Sequence, residues 1–394
     1  MNKFKRNIRD IGAVAKRELH QMFARPLYIY SSVIVMALCT FFFLSVMQET
    51  TPQRIPIAII DHDESTISRR FIHEVEATQS VHVVAVYGTY REAREAMQRG
   101  EIYAFLEIPE RFYADILAQR RPHLCFYVNN AYTMGANTAY KQLFMMANLA
   151  NGAVQQQTLR ARGMDENIIQ NLIQPVMIEG HFIANPFSSY PVYLLSTILP
   201  GILGLIILML TIFAIGFELK MGTSREWMKV ANYNYTVAMI GKLLPYTILF
   251  IILGTSCETI LVKFMHFPVN GSYLRLIGGM ILYVFAVESV GITLIGAMPV
   301  LRPAISVGAL YGMLSFSISG FTFPTMGMLP FVQALSYLFS LRHFYHIYVN
   351  EALMAAPMQN SIVEITILIG FMVLPMFVHR RLHAALILQN YKRV

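Results

Sequence analysis

The sequence predicts an α-helical membrane protein with six transmembrane helices and an external α/β domain inserted between helices 1 and 2. Three observations carry this. Six long apolar stretches divide the chain, a polar insert over residues 48–190 separates the first two, and most of the acidic side chains lie inside that insert. Composition agrees: 55% of the 394 residues are hydrophobic and only 14% charged, with mean hydropathy +0.48. Soluble domains carry about 25% charged residues.

A bilayer-spanning helix needs about 20 mainly apolar residues. The stretches that qualify are Leu27–Met47, Val192–Phe217, Tyr235–Val262, Tyr273–Met298, Ala304–Phe323 and Ile362–Val378. The first is too long for a signal peptide and runs into Gln48-Glu49-Thr50-Thr51 without a small-x-small cleavage site, so it reads as an anchor. The expected divisions are therefore residues 1–26 (a cytoplasmic interfacial helix), 27–47 (the first span), 48–190 (the external, periplasmic α/β domain with a long helix), 191–378 (spans two to six) and 379–394 (a cytoplasmic tail).

Basic residues set the orientation. Sixteen lie before span one, between spans two and three, at the start of span three (Lys242), between spans four and five (Arg302) or after span six. The short loops opposite hold only Lys263, Arg275 and Arg342. Long domains translocate largely regardless of charge, so the short-loop bias decides: both termini are expected in the cytoplasm and the insert outside. The insert carries 12 basic and 15 acidic residues, a net −3, which leaves +11 on the membrane part against +8 for the whole chain. Positive-inside bias explains that excess without nucleic acid. Cys39 and Cys257 fall in spans and Cys125 is alone in the insert, which excludes an internal disulfide framework there.

Within the insert, short apolar runs alternate with helical spacing. Strands are expected at Ile55–Ile60, Val81–Tyr87, Ile102–Ile108 and Leu124–Val128, and helices at Ser65–Ala77, Arg91–Arg99 and Phe112–Ala118. That order predicts a small, largely parallel sheet. Asn137–Arg162 reads as a long helix with a polar face, a stalk or packing arm. The cluster Asp61-His62-Asp63-Glu64-Ser65 offers oxygen and imidazole ligands to a metal. Its position between a strand and a helix favours capping instead, because short polar side chains accept from the free N–H groups of a first turn. No metal site is assigned.

Motifs for covalent chemistry are missing. Gly241-Lys242 lacks the upstream glycine of a phosphate-binding loop and is followed by leucine, and neither H-E-x-x-H nor G-x-S-x-G occurs. His343 and His346, beside Tyr345 and Tyr348, read as anchors at a membrane interface rather than zinc ligands. Before the first span, Ile8, Ile11, Ala15, Leu19 and Met22 recur at three- and four-residue steps, with Arg9, Lys16, Arg17 and His20 off that stripe. This describes an amphipathic helix lying along the inner interface.

Four segments carry a family resemblance. Ala15-Lys16-Arg17-Glu18-Leu19, continuing to Arg25-Pro26, resembles the entry to the first span of ABC-2 type permeases. Ile57-Ala58-Ile59-Ile60-Asp61-His62-Asp63-Glu64-Ser65 resembles the opening of their external domain. Glu218-Leu219-Lys220-Met221-Gly222-Thr223 is similar to their cytoplasmic E-x-x-x-G-T loop, and Ser319-Gly320-Phe321-Thr322-Phe323-Pro324 with Met328-Leu329-Pro330 to the segment after span five. Their order covers essentially the whole chain and is most similar to the drug-exporter-like branch. Arg225-Glu226-Trp227-Met228 departs from the acid and leucine pair of many relatives, which leaves the register of the loop helix open.

The resemblance implies a permease subunit that pairs with a second copy or a paralogue and exports hydrophobic or amphiphilic compounds from the inner membrane. A separate ATPase subunit would bind ATP and Mg, so no cofactor is expected in this chain. A periplasmic adaptor and an outer-membrane channel are further expected partners. It also implies ATPase-coupling roles for Lys16, Arg17, Glu18, Glu218, Gly222, Thr223, Arg225 and Glu226. For a translocation pathway the candidates are Glu288, Glu258, Gly320, Phe321 and Pro324. Glu288 falls mid-span, where a carboxylate costs about 2.5–3.5 kcal/mol on insertion scales, so it must face protein or water. An interhelical hydrogen bond and a functional charge explain it equally well. Glu258 is read as nearer the outer solvent and structural. Pro200-Gly201 and Pro245 can bend their spans, and Pro324 and Pro330 suggest a broken or re-entrant segment. Two other readings compete. An ion-coupled secondary transporter should show paired repeats and more midplane charge. A membrane-anchored sensor with an external ligand domain would need a cytoplasmic output domain.

Overall fold

The computed structural model describes residues 3–26, 30–47, 53–118, 120–174, 181, 183–186 and 188–389. The chain divides into two compact units, Glu49–His181 and the remainder, residues 1–48 with 182–394. The inserted unit thus closes nine residues before the boundary at 190 that composition suggests.

The inserted unit holds β1 (Ile55–Asp61), α3 (Thr66–Glu76), β2 (Val81–Tyr87), α4 (Tyr90–Gln98), β3 (Ala104–Ile108), α5 (Phe112–Leu117), β4 (Cys125–Val128), α6 (Thr133–Ala161) and α7 (Glu166–Ile173). Here α1 and α2 are the two helices that precede it in the chain. The sheet order is β2-β1-β3-β4; β1 runs parallel to β2 and β3, and β4 is antiparallel to β3. Ile57, Ala58, Ile59 and Ile60 are all fully buried, which is why β1 reads as a continuous apolar run rather than an alternation. Ile57 and Ile59 pack with Phe71, Val75, Leu106 and Leu143 on one face, while Ala58 and Ile60 meet Ala93, Ala96 and Phe105 on the other. Ser65 and Thr89 cap α3 and α4 by accepting from the N–H groups of Ser68 and Glu92. The first half of α6 buries Ala136, Ala139 and Leu143. Its far end is clasped by α7: Gln156 and Arg160 both donate to Glu166, and the bonds from Arg160 hold that carboxyl below the ordinary glutamate range.

The helical unit contains α1 (Lys3–Ala24), α2 (Tyr30–Val46, opening with a π turn), α8 (Tyr190–Met221), α9 (Ser224–Val230), α10 (Tyr235–Phe264), α11 (Tyr273–Ala297), α12 (Leu301–Ile318), α13 (Pro330–Ser336), α14 (Ser340–Tyr348), α15 (Ile362–Phe371) and α16 (Pro375–Leu388). Among the described residues, five helical segments are long and apolar enough to cross a bilayer: α8, α10, α11, α12 and Met358–Leu388. The first expected span corresponds to α2. Its apolar helix is about 25 Å long, short of the ~30 Å hydrocarbon core, and its expected start at residues 27–29 lies outside the described residues. Helix α8 sits at the centre, packed against α2, α10, α11, α12 and α14. Gly204 lets Tyr283 lie against α8 and donate to the Pro200 carbonyl at 3.1 Å.

Two span ends differ from expectation. Helix α12 stops at Ile318 rather than Phe323, because Gly320 turns the chain at φ +98°. The last span does not end at Val378. It breaks over residues 372–374, where Pro375 opens α16 without an N–H to donate, and then continues as helix to Leu388. Most of the expected cytoplasmic tail is therefore helix, packed on α9 and α11. Between α12 and α15 the chain is broken into short turns of helix, in line with the irregular segment that Pro324 and Pro330 suggest.

Candidate functional site

Three helices and one loop converge on a buried ionic cluster. Helix α1 supplies Arg17 and Glu18 from adjacent positions, α8 supplies Glu218 from its last turn, and α10 supplies Lys242 from its second turn. Arg17 forks onto Glu218, Nη1 to Oε1 at 2.8 Å and Nη2 to Oε2 at 3.3 Å. Lys242 Nζ donates to Glu18 Oε2 at 2.7 Å and to Glu218 Oε1 at 3.2 Å. Tyr246, one helical turn beyond Lys242, donates its hydroxyl to Glu18 Oε1 at 2.9 Å. The Thr223 hydroxyl donates to Glu218. Below Lys242 lies the only tryptophan, Trp227, whose ring centroid is 4.9 Å from Nζ and whose indole N–H donates to the Ala238 carbonyl. Two cations thus face two anions, and Glu18, Glu218 and Lys242 are all 1–2% exposed. Buried charges persist only when paired and hydrogen-bonded, and each of these is.

Gly241 makes the approach possible. A Cβ there would stand 2.7 Å from the Val14 Cβ and 2.9 Å from the Ile11 carbonyl oxygen, so α1 lies directly on the α10 backbone. Asn232 adds a further tie to α1, donating to Asp10 at 2.7 Å. Helix α1 consequently has three faces rather than the two its periodicity suggests. Asp10, Val14, Ala15, Glu18 and Met22 face the protein. Phe4, Ile8, Leu19 and Phe23 form an exposed apolar flank, and Arg9, Lys16 and His20 a polar one. Ile8 and Leu19, expected on one stripe with Ala15 and Met22, point outward.

Of the expected coupling residues, Arg17, Glu18, Glu218 and Thr223 meet in this cluster. Gly222, at φ +71°, ends α8 in the left-handed conformation that glycine adopts without strain. Its carbonyl accepts from Gln389, while Ser224 and Arg225 donate to the carbonyls of Leu386 and Ile387. Those two loop residues therefore bind the end of α16. Lys16 and Glu226 are exposed and outside both sets of contacts. The loop helix α9 begins at Ser224, which fixes the register left open. Lys242 and Tyr246 were not among the expected residues. Lys242 reads as one more inner-side charge, but it is buried among carboxylates.

The residues expected along a translocation pathway do not meet among the described residues. Both carboxylate oxygens of Glu288, on α11, lie 2.8–2.9 Å from the Thr247 hydroxyl of α10, an interhelical bond. Glu258 is 1% exposed, so it is not near solvent as its place in the span suggested, and its Oε2 has no partner among the described residues. Phe321 is buried and its carbonyl accepts from Tyr193 at 2.6 Å, whereas Pro324 is exposed.

A second polar cluster occupies α13, α14 and α15. Arg342, 5% exposed, donates to Ser336 and to the Gln333 carbonyl, and its guanidinium lies 3.9 Å from the Tyr337 ring centroid. His343 is fully buried, its Nδ1 bonded to Glu364 and its Nε2 to the Tyr337 carbonyl. Neither residue fits its expectation: Arg342 is not a loop charge and His343 is not an interfacial anchor. Beside them Arg275 pairs with buried Glu351 at 2.9 Å. The Asp61–Ser65 cluster caps and staples. Asp61 accepts from the N–H groups of Asp63 and Glu64 and from the Ser68 hydroxyl, and Asp63 accepts from the Tyr113 N–H.

No curated protein matches the sequence. The family described as ABC-2 family transporter protein matches residues 27–378, every described helix from α2 to α15 and the inserted unit, but not α1. With apolar helices of crossing length and a match over most of its length, the chain belongs to the ABC-2 transporter family and is a multi-pass membrane permease subunit, a transport component rather than a catalyst.

Proposed function

We propose that this permease forms one half of the transmembrane part of an ATP-driven exporter, with ATP and Mg bound by a separate ATPase subunit. The Glu218 cluster is the observation that carries the reading. One carboxylate at the end of α8 holds α1 through Arg17, α10 through Lys242 and the loop before α9 through Thr223. A push on α9 or α1 by a docked ATPase therefore reaches two spanning helices through ion pairs rather than through a flexible loop. Exposed Lys16, Glu226 and the polar flank of α1 supply the contact surface. In this reading α2 is the first of six spans, both termini are cytoplasmic, and residues 49–181 lie outside, in the periplasm of a double-membrane bacterium. A second copy or paralogue completes the pore, and an adaptor with an outer-membrane channel receives hydrophobic or amphiphilic cargo. Lipid covers the apolar flank of α1.

Two measurements test it. Cys125 is exposed while Cys257 is buried and Cys39 half-buried, so a membrane-impermeant maleimide should label cells with a permeabilised outer membrane at Cys125, and Cys125→Ser should abolish the label. Labelling that requires lysis overturns the orientation. Glu218→Gln should preserve insertion yet lower transport-stimulated ATP hydrolysis by the co-purified ATPase. Wild-type stimulation in that variant overturns the coupling role.

A further inference from the structure

The inserted unit contains a cleft of about 780 Å³ between α3 and α5 on one side and the second half of α6 on the other. That volume falls within the range of about 300–1,000 Å³ usual for small-molecule sites. Its floor is apolar, formed by Ile67, Phe71, Phe112, Ile116 and Leu124 at the edge of the core. Its rim is cationic. Arg120, Arg121 and Arg162 all line it, and among the described residues no aspartate or glutamate does. Arg120 already pairs with Asp115 at 3.4 Å. Arg121 and Arg162 make no ion pair among the described residues, and both are exposed. One wall, from Asn148 to Thr158, presents amides and a hydroxyl along α6.

We infer that this cleft binds an amphiphilic anion: an apolar chain or ring system on the floor, with its carboxylate or phosphate held by Arg121 and Arg162. Three features point to that class. An apolar floor rejects a wholly polar ligand, because buried polar groups without partners are costly. Guanidinium groups form forked bonds to carboxylate and phosphate, which selects an anionic head over a neutral one. A cation would meet three arginines and, among the described lining residues, no carboxylate. The inference concerns the inserted unit alone and stands whether or not the coupling cluster works as proposed above.

Equilibrium binding of radiolabelled decanoate to the full chain in phosphatidylcholine nanodiscs tests it, with empty discs as the blank. Saturable binding near one per chain is expected, competed by decyl phosphate and not by decanol. Arg121→Gln with Arg162→Gln should weaken it about tenfold or more. Asn151→Trp, on the exposed wall of α6, should block it while leaving thermal unfolding unchanged. A free acid and a membrane lipid share this chemistry. Displacement by phosphatidic acid added to the discs assigns the lipid, and resistance to it assigns a free single-chain amphiphile. No saturable binding by the wild type, equal competition by decanol, or equal binding in both variants overturns the site.

Discussion

The Glu218 and Arg342 clusters of the helical unit both bury charge and are built differently. The Glu218 cluster joins residues far apart in the chain: Arg17 and Glu218 are 201 positions apart, Lys242 and Glu18 224. The Arg342 cluster is local, with partners six positions apart for Ser336 and Arg342 and 21 for His343 and Glu364. The first cluster ties separate helices to one another. The second stiffens one irregular stretch, where helices too short to satisfy their own ends need side chains to accept and donate. Partner chemistry differs too. Removing a member of the first cluster strands ions, whereas removing Arg342 strands mainly a carbonyl and a hydroxyl.

That contrast sets the order of the expected effects. Lys242→Met should be the most damaging, leaving Glu18 and Glu218 buried with one cation between them, at a cost of about 3–5 kcal/mol. Thermal unfolding should fall, and limited proteolysis should release α1. Glu18→Gln combined with Lys242→Met restores neutrality and keeps the Arg17–Glu218 fork, so it should recover part of the loss. A double variant as damaged as the sum of its singles breaks the distinction, because the cluster would then not act as a unit. Arg342→Met should cost less, about 1–3 kcal/mol, since the stranded partners are neutral. Hydrogen exchange should rise over residues 330–348 and stay unchanged in α1; protection lost in both places would show that the second cluster is not local. Smallest should be Glu288→Leu, at roughly 0.6 kcal/mol for one interhelical bond in a membrane. Thr247 keeps its bond to the Leu243 carbonyl at 3.0 Å, which limits the loss. Glu288→Gln should leave stability and export alike. Impaired export by a folded Gln variant would move this residue from packing to transport.

The sequence reveals regular structure well and clusters unevenly. Strands β1 and β2 stand out because apolar β-branched runs are bounded by turn residues, whereas the break at Pro375 is hidden in the sequence because the residues around it stay apolar. Arg17, Glu18, Glu218 and Thr223 were found through motif resemblance, not through any local sign that they meet. Lys242 carried a usable sign: a lysine inside an apolar helix must find an anion or a solvent path. The anions it meets are Glu18 and Glu218. Arg342 and His343 look like a loop charge and an interfacial anchor. Tyrosines and histidines near the end of an apolar run look interfacial unless the chain folds back over them, and the folding back depends on contacts between α14, α11 and α15 that no local pattern encodes.

Gly241 sets the geometry of the Glu218 cluster. Coulomb attraction between bare charges changes slowly with distance, but the forked and bridging hydrogen bonds that stabilise buried ions fail within an ångström. The separation of α1 from α10 is set one residue before Lys242, by a hydrogen atom where any other amino acid would place a carbon against Val14 and Ile11. Steric spacing and charge are therefore one device at this junction. A methyl group added there carries no charge and touches no ionisable atom, yet it would act as an electrostatic substitution, lifting α1 off its anchors while every charged residue remained in place.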